Sequence, residues 1–298
     1  MYKKPESNFY KKSYIVFICF IFLLTSFSFI TIFIFNKDSG IIAAYADKTT
    51  NTDNVNSIIP QTEQVNVDEE VILEISNLTA DIANYEKELA SEYLRIVNTS
   101  FPLPEDYTPA ALVEMTSNPA FKMEPIAALK LQKFMEDALA AGYKSTLISC
   151  YRDNDEQQEL YNQTWQDNMN AGYTRESAEL MTQKVVALAG QSESQTGLSI
   201  NIAESRNLTA TEIEESEFFK YATENIHKYG FVLRYPKGKE HITGFSFDPS
   251  YFRYVGDEHS TYIYEKKLTL EEYVDYLKKK KAEANQKLTS LSKNQDEA

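Results

Sequence analysis

The run YIVFICFIFLLTSFSFITIFIF, from Tyr14 to Phe35, constrains this chain more than any other feature. Its 22 residues carry no charge. As a helix rising about 1.5 Å per residue it reaches roughly 33 Å, enough to cross the hydrocarbon core of a bilayer. Lys3, Lys4, Lys11 and Lys12 precede it, and no Lys or Arg follows until Lys37. That asymmetry predicts a cytoplasmic N-terminus and a C-terminal part on the other side. A cleaved signal peptide is the alternative, because Ala44-Tyr45-Ala46 reads as a cleavage site. Against it, the run exceeds the ~7–15 residues of an ordinary signal core, and a charged spacer separates it from Ala46. Either way the remainder works outside the cytoplasm.

The pattern beyond the run predicts a cytoplasmic basic segment over 1–13, a single-pass anchor over 14–36 and a flexible polar linker over 37–68. A helical stalk over 69–93, a globular domain over 94–281 and a disordered tail over 282–298 follow. In the stalk, Val71, Ile75, Leu78, Ile82, Tyr85 and Leu89 recur at spacings of four and three, a helical seam. That seam serves either a homodimer through residues 71–89 or docking on the chain's own domain. SFPLPEDYTPAALVEM, with its prolines, reads as an extended entry. Pro125 opens a helix whose Ile126, Leu129, Phe134 and Leu139 are expected near one face, stopped at Gly142. STLIS, LSINI, FVLRY, TGFSFD and YFRYVG read as short strands, with His241 opening one of them. A broken helix is expected over 156–188 and another from Glu217 to Tyr229, stopped at Gly230. Helices interleaved with short strands predict an α+β domain.

Charge narrows the partners. Residues 1–13 carry a net +3, which leaves −17 on the rest from a total of −14. Such an acidic surface argues against nucleic acid. Cys19 lies in the apolar run, so Cys150 has no partner for an intramolecular disulfide outside the membrane and reads as a buried, inert thiol. His227, His241 and His259 are the only histidines and show no metal-binding spacing.

Five segments, LRIVNTSFPLPEDYTP, LISCYRDNDEQQELY, LAGQSESQTGLSINI, YGFVLRYPKGKEHITGF and FDPSYFRYVG, occur in an order and spacing that resemble the VanY-type D-alanyl-D-alanine carboxypeptidases. The resemblance covers about residues 94–273. It implies the Hedgehog/D-Ala-D-Ala peptidase fold behind the N-terminal transmembrane helix, a bacterial cell membrane location with the domain outside, and zinc chemistry on peptidoglycan stem peptides. It implies a zinc held by S-x-H-x6-D and by the His of E-P-W-H. Here Ser192 matches the serine, but Ser194, Asn201 and Tyr251 stand at the ligand positions. Asp248 stands at the general-base position and Ser250 replaces the Trp. A hydroxyl, an amide and a phenol are poor zinc donors near neutral pH, so no cofactor is expected although the family's is zinc. Arg152 and Gln157 match the family's substrate-facing Y-R-x4-Q pattern and, with Ser192, form the expected substrate-binding set. Arg152 takes either a ligand carboxylate or an internal acid such as Asp248. Arg234 and Arg253 read as structural.

Three functions remain open. The first is a catalytically silent domain that binds stem peptide, a D-Ala-D-Ala-like peptide or a cell-wall partner. The second is an active D,D-carboxypeptidase with an unorthodox metal site and Asp248 as its catalytic base. The third is an interaction protein dimerising through its stalk.

Overall fold

The computed structural model describes residues 69–296. The apolar run, the linker and Ala46 lie outside the described residues. Among those described, no helix is long and apolar enough to cross a membrane.

Helix α1 spans Glu69–Leu89. A hairpin of β1 (Val113–Met115) and β2 (Asn118–Met123) follows, within and just after the stretch expected to be irregular. Helix α2 (Pro125–Ala140) starts where sequence rules place it, with Pro125 at the first position and the Glu124 carboxylate accepting from the Ala127 amide at 2.8 Å. Its buried face is Ala127, Ala128, Leu131, Phe134 and Ala138, whereas Ile126, Leu129 and Leu139 are exposed. The expected face is therefore corrected. Small alanines let the helix lie close against the sheet, and the larger side chains turn outward.

The sheet contains β3 (Thr146–Ser149), β4 (Ser199–Ala203), β5 (Phe231–Tyr235) and β6 (Asp248–Tyr254), antiparallel in the order β3-β4-β6-β5. Its inner face, including Ile200, Ile202, Phe231 and Phe252, forms one core with α2. Helix α6 (Glu217–Asn225) adds Phe218 and Ala222 to that core. TGFSFD is not a strand. Glu240–Thr243 forms a short helix, α7, which Gly244 ends in the left-handed conformation, so His241 opens no strand. The expected broken helix resolves into α3 (Asn154–Asn170) and α4 (Arg175–Gln183). Helix α5 (Ala210–Glu215) precedes α6, and α8 (Asp257–Lys266) follows β6.

The expected disordered tail is also corrected. Helix α9 runs over Leu270–Asp296 and pairs antiparallel with α1, with Lys281 2.9 Å from Glu86 and Lys287 paired to Glu74. The α1 seam, read above as a stalk, is half-buried, and Tyr85 and Leu89 pack on the cluster that contains Tyr273, Val274 and Leu277. The seam thus has a partner within the chain. Its complement on α9 falls on Leu277, Ala284, Leu288 and Leu291, a stripe that the many lysines hide in a charge-based reading. His259 adds a clamp, its Nδ1 2.8 Å from Tyr273 OH and its Nε2 2.8 Å from Glu88.

Gly230 shows how tightly the sheet is backed. At φ +86° it ends a 3-10 turn over Ile226–Tyr229, and an added Cβ would stand 2.3 Å from Tyr254 Cε2. Gly230→Ala combines left-handed strain with overpacking and is expected to cost about 2–4 kcal/mol, read as a lowered denaturant midpoint with unchanged m.

Candidate active site

Four segments meet on the outer face of the sheet. The first is the junction between β3 and α3. Asp153 caps α3 and forms a capping box with Glu156, which places Arg152 just before the helix and Gln157 in its first turns. The Arg152 amide donates to the Ser194 carbonyl at 3.2 Å, tying this junction to the second segment. That second segment is a 3-10 turn over Glu193–Thr196, capped by Ser192 and ended by Gly197 at φ +74°. The third and fourth are β4 and β6, whose register sets Asn201 opposite Tyr251.

These segments bound a cleft of about 510 Å³. Arg152, Gln157, Ser192, Asn201, Asp248, Ser250 and Tyr251 line it, so the residues singled out from sequence do come together. Ser194 sits behind them, buried, and joins them by hydrogen bonds.

Two polar networks hold the floor. In one, Arg152 Nη2 donates to Ser194 Oγ at 2.8 Å, Ser194 Oγ lies 3.1 Å from Tyr251 OH, and Tyr251 OH donates to Ser199 Oγ at 2.8 Å. Burial, reinforced by the nearby Glu193 charge, pushes the Tyr251 phenol above its ordinary pKa and keeps it protonated. In the other, Ser149 donates to Asn201 Oδ1 at 2.8 Å, while Asn201 Nδ2 donates to Ser250 Oγ at 2.8 Å and to Asp248 Oδ2 at 3.3 Å. The Ser250 amide and hydroxyl donate to Asp248 Oδ1 at 2.9 and 2.7 Å. Arg152 Nη1 links the two networks by donating to Ser149 Oγ at 3.2 Å.

Below the floor lies a fully buried charge cluster. Glu193 accepts from Arg234 Nε at 2.8 Å, and its second oxygen is 3.1 Å from Arg253 Nη1, a pair in ionic contact without hydrogen-bond geometry. Arg234 continues to Glu271 on α9, and Arg253 Nη2 donates to the Glu92 and Tyr93 carbonyls. Burial alone would raise the Glu193 pKa, but the two guanidinium charges outweigh it and hold the carboxyl below its ordinary range. Arg234 and Arg253 are structural, as read from the sequence.

A scan against family models matches residues 120–257 to VanY, D-alanyl-D-alanine carboxypeptidase. A D-alanyl-D-alanine carboxypeptidase of Enterococcus faecium is 32% identical over 208 residues, 66% of this chain. The match spans 62% of that relative's own length. Among solved structures, a mutant of the vancomycin-resistance D,D-pentapeptidase VanY from a VanB-type cassette, in complex with Zn(II), is 33% identical with a TM-score of 0.55. The alignment covers 61% of this chain and 99% of that one. VanYB in complex with D-Alanine-D-Alanine is 32% identical with a TM-score of 0.56, covering 62% and 98%.

This chain belongs to the VanY family.

The expectation of no cofactor is thereby corrected, since a solved VanY relative carries Zn(II). The side chains of this VanY-family chain at the implied ligand positions do not suit that ion. Ser194 Oγ already meets the Arg152 cation at 2.8 Å, and a second cation there would be repelled. Asn201 spends its carbonyl oxygen on Ser149, and the Tyr251 phenol keeps its proton. Among the described residues, no group of three or more His, Cys, Asp or Glu could hold a metal. The histidines stand apart from the cleft: His227 stacks on Tyr264 at 3.8 Å, His241 is exposed on α7 and His259 clamps the helix pair.

Other residues take roles of their own. Arg152 has no ion pair with Asp248 or with any other described carboxylate, and its three partners are the neutral Ser149, Gln157 and Ser194. Gln157 is buried, accepts from Arg152 Nε at 2.9 Å and donates to the Ala187 carbonyl at 2.6 Å, so it aims the guanidinium instead of facing solvent. Cys150 is buried, and burial pushes its thiol up to about 11, which makes it unreactive. Ser149, Ser199 and Glu193 escaped the sequence reading. The alternation of β4 carried one signal, since Ser199 shares a face with Asn201.

Proposed function

We propose that this chain is a membrane-anchored, extracytoplasmic VanY-family domain that binds the carboxy-terminal end of D-Ala-D-Ala-type stem peptides without cleaving them. The observation that carries this reading is Arg152. A guanidinium at the rim of a family substrate cleft, pre-aimed by Gln157 and matched only with neutral oxygens, is suited to a ligand carboxylate. Three of its five N–H donors are taken, which leaves a donor on each terminal nitrogen for a bidentate contact. Similarity to VanYB, solved with D-Alanine-D-Alanine, supports the peptide class. In support of binding without cleavage, the implied zinc-ligand positions hold a hydroxyl, an amide and a protonated phenol, which are poor zinc donors, and without a metal the Asp248 carboxylate has no activated water to work on. Anchoring rests on the apolar run over 14–35 and the lysines before it, with release by cleavage near Ala46 as the alternative.

The full chain, purified in detergent, is expected to bind D-Ala-D-Ala-terminated pentapeptide and to release no D-alanine over hours with zinc supplied. Arg152→Gln is expected to weaken binding about 10–100-fold, as is amidation of the peptide's C-terminus on the unaltered protein. Equal affinity for acid and amide would refute carboxylate recognition. Release of D-alanine would instead favour the active carboxypeptidase, in which Asp248, whose carboxylate lines the cleft, serves as base. In cells, the chain is expected in the membrane fraction and to be released by detergent but not by salt.

A further inference from the structure

We infer that Glu271 and Glu272, in the first turn of α9, are positioning residues that set the aromatic wall of the cleft from behind. Neither carboxylate lines the cleft. The wall is the end of β5 and the connection from β5 to β6 over residues 236–247, which brings Tyr235, Phe245, Ser246 and Phe247 to the cleft. The two glutamates grip that segment at two points. Glu271 takes Arg234, the residue before Tyr235, in a bidentate pair, with Nη1 at 3.0 Å and Nη2 at 2.5 Å. Arg234 is fully buried, and its guanidinium carbon sits 5.0 Å from the centre of the Tyr235 ring. That ring packs in turn on Tyr251 and Phe245, each 4.9 Å away centre to centre. Where Arg234 is held therefore decides where three aromatic side chains of the cleft stand.

Glu272 divides its two oxygens. Oε2 accepts from the Thr269 amide at 2.8 Å while the Glu272 amide donates to Thr269 Oγ1 at 3.2 Å, which closes a capping box at the start of α9. Oε1 takes the Lys239 ammonium at 2.7 Å. Lys239 stands immediately before α7, and its carbonyl accepts from the Ile242 and Thr243 amides at 2.9 and 3.0 Å. Glu272 thus fixes the short helix that delivers Phe245. The grip comes from a rigid element, because Leu270, Tyr273, Val274 and Leu277 of α9 are buried with Val232 and Val255. The segment it grips has little rigidity of its own. Its single helix has four residues, too few to persist unaided. Its other holds include the exposed Lys237–Glu214 pair at 2.8 Å and the Ser246 amide on the Lys184 carbonyl at 2.8 Å.

Amide hydrogen exchange, read segment by segment on the full chain in detergent without peptide, tests this. Glu271→Gln with Glu272→Gln removes both charges, and glutamine still serves the capping box. Exchange over 240–247 is expected to speed up about tenfold or more, while β3 and β4, towards the far edge of the same sheet, change by less than about twofold. Equal acceleration throughout the domain would mean that the glutamates contribute stability alone and would overturn the inference, as would an unchanged wall. Should that variant not fold, Glu272→Gln and Lys239→Gln, alone and together, decide the matter. Each is expected to speed exchange over 240–247 about two- to fivefold, and both together no more than either alone. Additive effects would refute the Lys239 contact. A second measurement rests on the reading above. The Glu271→Gln, Glu272→Gln chain is expected to bind the pentapeptide about fivefold more weakly or worse, and equal affinity would show that the wall does not shape the cleft. The exchange result needs no ligand, so a native chain that binds no peptide would end the proposed function and leave this inference standing.

Discussion

Glu193→Gln is expected to destabilise the domain by about 3–5 kcal/mol. The carboxylate is fully buried between Arg234 and Arg253, and its removal leaves two guanidinium groups without their shared counter-charge. Arg234 keeps Glu271, but Arg253 keeps only backbone carbonyls. Urea unfolding of the two proteins at pH 7 measures the difference, and a change below about 1 kcal/mol would show that the cluster contributes little. The same group gives a pH signature. Its folded pKa is depressed, so its stabilisation is complete above the ordinary carboxyl value near 4.3 and is lost as pH falls through the lower folded value. The thermal midpoint of the native protein should therefore drop steeply below about pH 4, and part of that drop should be missing in Glu193→Gln.

The second large effect concerns zinc. Ser194→His, Asn201→Asp and Tyr251→His in one chain are expected to raise zinc affinity by more than about three orders of magnitude over the native chain. The physical basis is that two imidazoles and a carboxylate replace a hydroxyl, an amide and a protonated phenol at positions the register already brings together. The histidine at 194 would also stand where Arg152 now donates, so some gain is lost to repulsion from that cation. Competition against a chromophoric chelator, native and variant side by side, reads the ratio. If the native chain holds zinc as tightly as the variant, its own donors form a zinc site after all, and D-alanine release becomes the next assay.

The pairing of α1 with α9 shows what sequence patterning reveals and where it stops. The seam from Val71 to Leu89 was legible because six apolar residues repeat at helical spacing. Its partner was not, since Leu277, Ala284, Leu288 and Leu291 are diluted by lysine and glutamine, and from residue 282 onward an expectation of disorder followed. Periodicity reports that a face will be buried and is silent on what buries it. TGFSFD failed for a related reason: alternation over so few residues is weak, and Gly244 in a left-handed turn overrides it.

By itself, the sequence determined the α+β class, most strands, the helix start at Pro125 and the nature of the side chains that replace the family's at the cleft. These depend on local capping chemistry, on period and on residue identity, all written along the chain. Only the tertiary structure decided that Arg152 has no acid partner among the described residues, that Gln157 aims it, and that Glu193 joins β5 and β6 beneath the site, with Arg234 carrying the link on to α9. Those are contacts between residues 41 or more positions apart, or choices among several partners of equal chemistry. Hydrogen-bonding capacity is a property of a residue, but which partner satisfies it is set by packing, and that choice separates a closed internal network from a cleft with charge left to offer.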